Sequence, residues 1–331
     1  MRQSVITSDF GSVLRRHFGI AHLRSVQALR SGAFTTASRI VVEPDGASFV
    51  VLVYHPPVSR GHIEAMHAVR LQLARAGVPV AAPLAAVGGE TIVDAEDGRL
   101  ELSAWVPHDG FCLDWRALPA AAAVLGRVHD VLSVCCVRPE PPDDEWEPPS
   151  TLWQRLRRDD RALREHAARF GREIDGEVTR AAVLLERLME TEDELYCEGH
   201  CQLTHGDYTG HNILMRGDEV AAVLDFGRLS TRPRLYDLAY ALFWRCFEVE
   251  LEKVAWERLQ ACCRAYALAT KHRVSIDEWR VLAKLFALLP AAGIAVALKE
   301  SDPSGEIVAF GQGLDFGEWM LDHEREFARQ L

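Results

Sequence analysis

Lysine is the scarcest charge in this chain. The first one is Lys253, so everything before it draws positive charge from arginine and histidine alone. Positive charge is short overall, with 37 lysines and arginines against 48 aspartates and glutamates and a net charge of -11. A protein that grips a phosphate backbone carries a basic stripe, so nucleic acid is excluded as the main partner. Long apolar runs are lacking too. Residues 117–125 and 285–298 are too short or too interrupted to span a bilayer. The first 20 residues hold no apolar run ahead of a small-residue cleavage site, so neither membrane insertion nor export is expected. Eight cysteines are present, and the adjacent pairs Cys135-Cys136 and Cys262-Cys263 do not make a disulfide framework. A reducing cytoplasm is the expected location.

What is present is a globular balance. Hydrophobic residues make up 48% and charged residues 26%, and 331 residues suffice for one large domain or two lobes. Residues 39–43 read as a β-branched strand, Pro44-Asp45-Gly46 as a turn, and 48–55 as an apolar second strand. A helix is expected over 62–76, stopped by Gly77 and Pro79. Two more strands are expected over 91–94 and 100–106. After Pro107 the pattern turns helical, over 115–134, 152–170, 173–190 and most of the chain beyond 235. The proline- and acid-rich stretch 138–150 reads as a surface connector. The class is α+β, with a small β-rich N-terminal lobe at 1–105 and a larger, mainly helical lobe at 106–331.

Chemistry concentrates between His205 and Asp225. The apolar runs Ile213-Leu214-Met215 and Val220 to Leu224 flank the turn Arg216-Gly217-Asp218 and read as a β-hairpin. Asp207 and Asn212 precede its first strand, and Asp225 follows its second. Antiparallel pairing would bring these three oxygen-bearing side chains to one end of the hairpin. Such a set suits Mg²⁺, which takes few protein oxygens and shares the rest with phosphates and water.

His205-Gly206-Asp207, with Asn212 five residues after the aspartate and then Asp225-Phe226-Gly227, has the spacing of a kinase catalytic loop. The ordered set resembles the aminoglycoside phosphotransferase and choline kinase family. Leu235-Tyr236-Asp237-Leu238-Ala239 is similar to that family's D-L-A helix start. Gly126-Arg127-Val128-His129 is similar to its helix ending in L-H, and the turn at 77–84 to its G-x-P-V-x-x-P-L. The resemblance runs from about Gly32 to Phe247 and implies a protein-kinase-like two-lobed fold. It implies Asp207 as catalytic base, Asn212 and Asp225 as Mg²⁺ ligands, and Asp237 as an anchor of the catalytic loop. His205 would be a buried brace. ATP or GTP would be covered by the loop containing Ser31, Gly32, Phe34 and Thr35, with its base against the hinge at Ser103 and Trp105. The acceptor would be a hydroxyl of a small molecule or of a peptide.

The chain departs from the family at the strand lysine. Val50-Val51-Leu52-Val53-Tyr54 matches the relevant strand, and Leu52 stands in the lysine's place. Counting back from the 77–80 turn puts Met66 near the partner glutamate, with Glu64 two residues away. Both members of an ion pair thus read as replaced by apolar residues. Either Arg39, backbone N–H groups of the 31–36 loop or a partner's cation serves the phosphates, or the chain is a scaffold that binds nucleotide or peptide beside a partner enzyme. Two other features have bland readings. Cys197, His200, Cys201 and His205 offer zinc-ligand types at a non-standard spacing. The acidic residues of 301–326 read as a solvated helix face, with a cationic acceptor as the alternative.

Overall fold

In the computed structural model the described residues are 10–29, 35–44, 46–55, 58–96, 98–140, 147–158, 173–246, 254–298 and 304–331. Helix α1 (Phe10–Phe18) leads into strands β1 (Leu23–Ala28), β2 (Thr35–Val42) and β3 (Ser48–Tyr54). Helix α2 (Arg60–Arg75) follows, then β4 (Val93–Ala95), β5 (Gly98–Ala104) and β6 (Gly110–Phe111). Helices α3 (Leu118–Leu132), α4 (Pro149–Arg158), α5 (Glu173–Met189) and α6 (Glu192–Leu195) precede β7 (Cys201–Thr204), β8 (Ile213–Arg216), β9 (Glu219–Val223) and β10 (Ser230–Pro233). The chain ends in α7 (Tyr236–Cys246), α8 (Val254–Ala269), α9 (Ile276–Ala297), α10 (Ser304–Gly311), α11 (Leu314–Asp322) and α12 (Glu324–Gln330).

The expected elements lie within a few residues of these bounds. Those that did not show in the pattern are α1, β1, β6, α6, β7 and β10, short pieces held by pairing or packing rather than by a long apolar period. The expected helix over 152–170 is described only to Arg158.

The chain divides into two units. The first holds residues 1–111, 135–140 and 213–227; the second holds 112–134, 141–212 and 228–331.

The first unit is built on an antiparallel sheet of order β1-β2-β3-β5-β4. Strand side chains alternate between faces. One face carries Ile40, Val42, Val51, Leu100 and Leu102, which bury Val13 and Leu14 of α1 in a shared core. The register pairs Leu52 with Ala37 and with Glu101, and Val50 with Arg39 and with Ser103, so these side chains share the opposite face. Helix α2 packs on that second face through Arg70 and His67, which both bond Glu101. Its start is capped by Ser59, whose side chain accepts from the His62 backbone N–H. A smaller sheet, β6-β8-β9, belongs to the same unit. The 77–84 turn holds it: the Val223 N–H donates to the Pro79 carbonyl at 2.8 Å.

The second unit is mainly helical. Its centre is α9, 22 residues long, whose Ser275 and Glu278 form a reciprocal capping box. The helix is longer than the sequence suggested. By length and composition it could cross a membrane, and 78% of its apolar window is buried inside the protein. Strands β7 and β10 pair antiparallel, joining Thr204 to Ser230. That pairing positions the loop that follows β7.

Candidate active site

In the second unit the loop after Thr204 is held by one carboxylate. Asp237, wholly buried at the start of α7, accepts from the backbone N–H of His205 at 2.7 Å and of Gly206 at 2.8 Å. His129 of α3 meets the same carboxylate through Nε2 at 3.0 Å, and its Nδ1 lies 2.8 Å from the Tyr266 hydroxyl. Burial alone would raise the Asp237 pKa. The bond from His129, the charges of His129 and His205, and the Gly206 N–H outweigh it and hold the carboxyl below its ordinary range. The D-L-A and L-H motifs are therefore two ends of one buried network around the loop.

Gly206 is required by shape. Its φ is +82°, and an added Cβ would sit 2.0 Å from the Arg228 carbonyl oxygen and 2.2 Å from Arg232 Nη1. His205 is fully buried, and its Nδ1 accepts the Asp207 backbone N–H at 3.2 Å. It braces the loop. Tyr208, also buried, donates to the Ala121 carbonyl at 2.9 Å. Between these anchors Asp207 is only half-buried. Asn212 Nδ2 donates to both the Asp207 carbonyl and Asp207 Oδ2, each at 2.9 Å. The pair is thus preorganised, and the oxygen of the Asn212 amide is the end turned away from Asp207.

In the first unit Asp225 has φ +56°, the one positive φ at a non-glycine residue among the described residues. Such a backbone costs on the order of 1–3 kcal/mol and persists only where its surroundings over-determine it. Its neighbours explain how it persists. Phe226 is buried as an anchor, and the Gly227 N–H donates to Asp225 Oδ1 at 3.2 Å. The Asp225 side chain itself is exposed. Its charge reaches Tyr54 on β3, adding to burial and Glu101 in raising that phenol's pKa.

Leu52 and Met66 are apolar, and beside them the sheet and α2 carry an ion pair the sequence did not suggest, with the acid on the strand and the base on the helix. Glu101, opposite Leu52 on β5, is fully buried and is the anion. Arg70, one turn after Met66 on α2, is the cation, with Nη2 2.6 Å from Glu101 Oε1 and Nη1 2.9 Å from Oε2. Tyr54 and His67 bond the same Oε2 at 2.6 and 2.7 Å. Burial would raise the Glu101 pKa, but Arg70 and His67 hold it far below its ordinary 4.5. Arg70 also donates from Nε to the Ala81 carbonyl at 2.8 Å, so its fork is spent inside the unit. A lone acid inside Leu100-Glu101-Leu102 was the available sequence signal.

The Arg39 guanidinium stacks over the Trp105 ring at 4.1 Å and bonds Ser48 Oγ at 3.3 Å, at the hinge end of the strand. The Trp105 N–H donates to the Ser48 carbonyl at 2.9 Å. Ser103 is buried, and Thr35 opens β2 opposite Tyr54. Ser31, Gly32 and Phe34 lie outside the described residues.

Among the described residues no group of three or more His, Cys, Asp and Glu side chains is arranged to hold a metal ion. Each of the Asn212 amide and the exposed Asp225 carboxylate offers the oxygen-ligand type that Mg²⁺ takes. Four of the late acidic residues are paired, Asp315 and Glu318 with Arg180, Asp322 with Arg187 and Glu324 with Arg280, and Asp302 lies outside the described residues.

The model of the phosphotransferase enzyme family matches residues 25–268. No curated protein matches. Among solved structures, a microcompartment-associated aminopropanol kinase aligns with a TM-score of 0.70 at 15% identity, covering 95% of this chain and 97% of that one. A spectinomycin phosphotransferase, solved with ADP and spectinomycin, gives 0.66 at 13% identity, covering 99% and 100%. An amicoumacin kinase, solved with AMP-PNP, Ca²⁺ and its antibiotic, gives 0.65 at 15%, covering 89% and 90%. These likenesses carry the kinase-like fold, and the extent of the family match carries the membership: this chain belongs to the phosphotransferase enzyme family.

Proposed function

We propose that the protein transfers the γ-phosphoryl group of ATP or GTP to a hydroxyl of a small molecule such as an aminoglycoside, a sugar or an amino alcohol, or of a peptide serine or threonine. The observation that carries the reading is the Asp207–Asn212 pair on a loop pinned by Asp237. Asp207 accepts the hydroxyl proton as the oxygen attacks phosphorus. Asn212 keeps the Asp207 carboxylate oriented, so the base spends no energy reorganising at the moment of reaction. Asn212 and Asp225 are the residues that would hold Mg²⁺, which when bound would neutralise charge on the phosphates. The purine lies against the hinge at Ser103 and Trp105 in the lobe of residues 1–105, and Arg39 stiffens that hinge through Trp105. The acceptor lies in the lobe of residues 106–331.

A second reading is kept for one observation: Leu52 brings no cation and Arg70 is consumed by Glu101. On that reading the chain binds nucleotide or peptide as a scaffold for a partner enzyme. Nucleotide turnover driven by a panel of amino alcohols, aminoglycosides, sugars and peptides separates the two. Turnover in the wild type should fall by about 10²–10⁴-fold in Asp207→Asn, the range for removing a general base. Equal turnover in both proteins would overturn the assignment of Asp207.

A further inference from the structure

With the strand lysine gone, helix α2 still makes a connection to the Asp225 turn, through a histidine. His62 lies in the first turn of α2, where its backbone N–H donates to Ser59 Oγ at 3.0 Å. Its ring is buried, with 8% of the residue exposed. Both ring nitrogens face backbone carbonyls. Nδ1 lies 3.0 Å from the Glu140 carbonyl oxygen, and Nε2 lies 2.9 Å from the Gly227 carbonyl oxygen. A carbonyl only accepts, so each nitrogen in such a bond must donate. A neutral ring satisfies one of the two, and the imidazolium satisfies both.

The target of Nε2 matters. Gly227 is held on both its polar groups: its N–H donates to Asp225 Oδ1 at 3.2 Å, and its carbonyl accepts from His62. The residue so framed, Asp225, sits at φ +56°. A backbone in that region persists only when its surroundings over-determine it. The buried Phe226 supplies one constraint, and the His62 bond from α2 supplies another. No other α2 side chain among those near the lost ion pair can do this. Met66 has no donor, Glu64 bonds Arg60, and Arg70 is engaged by Glu101 and Ala81.

We infer that His62 is the positioning residue that couples helix α2 to the metal-bearing turn, by holding the Gly227 carbonyl and with it the Asp225 carboxylate. The inference rests on the reading of Asp225 as a Mg²⁺ ligand. His62 touches neither metal nor nucleotide in this account and acts through the turn.

The side-chain lengths supply the test. Asparagine at this position puts its amide nitrogen where Nδ1 is and can keep the Glu140 bond. Glutamine reaches to where Nε2 is and can keep the Gly227 bond. Calorimetric titration with AMP-PNP, with and without Mg²⁺, measures how much the metal tightens nucleotide binding in each protein. His62→Gln should keep the wild-type Mg²⁺ gain. His62→Asn should lose about tenfold of it, as outer-shell substitutions at metal sites do, with metal-free affinity unchanged. Thermal unfolding checks that both variants are folded. His62→Phe, which donates to neither carbonyl, should behave as His62→Asn if it folds. Equal Mg²⁺ gain in the Gln and Asn variants, whether kept or lost, would overturn the role. A wild type that binds AMP-PNP with no Mg²⁺ gain would overturn it too, leaving nucleotide binding intact. A wild type that binds no nucleotide under either condition would sink the phosphotransferase reading and this inference with it.

Discussion

Gly206 is the residue at which shape and chemistry meet most closely. It occupies the middle of His205-Gly206-Asp207, its N–H feeds Asp237, and its missing Cβ leaves room for the Arg228 carbonyl. Gly206→Ala brings a methyl to 2.0 Å from that carbonyl at φ +82°. Backbone, not a flexible side-chain tip, is what must move. The expected cost is about 1–3 kcal/mol of stability, the range for overpacking. Because Asp207 is the next residue, activity should fall by more than stability alone explains. Denaturant melts together with turnover at a temperature where the variant is fully folded check this. A variant with wild-type stability would show that the loop can shift without strain. The sequence made Asp207, Asn212 and Asp225 legible because their order and spacing are local. It did not show how Asp207 and Asn212 are oriented. The Asn212 amide bonds and the positive φ of Asp225 depend on atoms that spacing does not specify.

Helix α2 and strand β5 form the element pair where local reading failed. Glu101 and Arg70 are 31 residues apart, and neither stands at a position the family pattern marks. Their meeting is a consequence of the β3–β5 register, which puts Glu101 opposite Leu52. A buried pair of this kind is costly to break on one side. Glu101→Gln leaves the Arg70 charge uncompensated and should cost about 3–5 kcal/mol, and Arg70→Met the same for Glu101. The double variant Arg70→Met/Glu101→Leu should cost less than the sum of the two, because no charge is stranded. Additive losses in denaturant melts would argue against a coupled pair. The pair also sets a pH dependence. Glu101 is held far below its ordinary value of 4.5, so the folded state binds its proton less readily than the unfolded state. Its stabilisation is therefore present above about pH 4.5 and is lost as pH falls below it toward the folded value. Melts in buffers below the ordinary value should show the wild type losing stability faster than Glu101→Gln. Parallel curves would remove Glu101 from the account of acid unfolding.

At the scale of the whole molecule, the class and the family were legible, whereas the way distant segments combine was not. Residues 213–227 join the first unit through the Val223–Pro79 bond and the β6–β8 pairing, contacts that span more than a hundred residues. The stretch 285–298, read as too short or too interrupted to span a bilayer, is the later part of helix α9, and Lys284 stands just before it. The structure buries that lysine against Glu194 and Glu324, so the helix continues. The last question of this scale is whether a chain without the strand lysine binds nucleotide at all. Binding to the native state alone stabilises it by mass action, about 2.7 kcal/mol at a hundred times the dissociation constant. For a chain of this size that corresponds to a rise of several degrees in the unfolding midpoint. On the proposed function the rise should require Mg²⁺ for its full size, because Asn212 and Asp225 would act on the phosphates only through the cation. It should shrink in Asp225→Asn, which keeps the shape of the turn and removes the charge. Asp207→Asn should leave it nearly whole, since the proposed base would meet the acceptor and not the nucleotide. A midpoint that does not move at millimolar ATP or GTP, with or without Mg²⁺, would mean that losing the lysine ended nucleotide binding. It would transfer the weight of the argument to the scaffold reading.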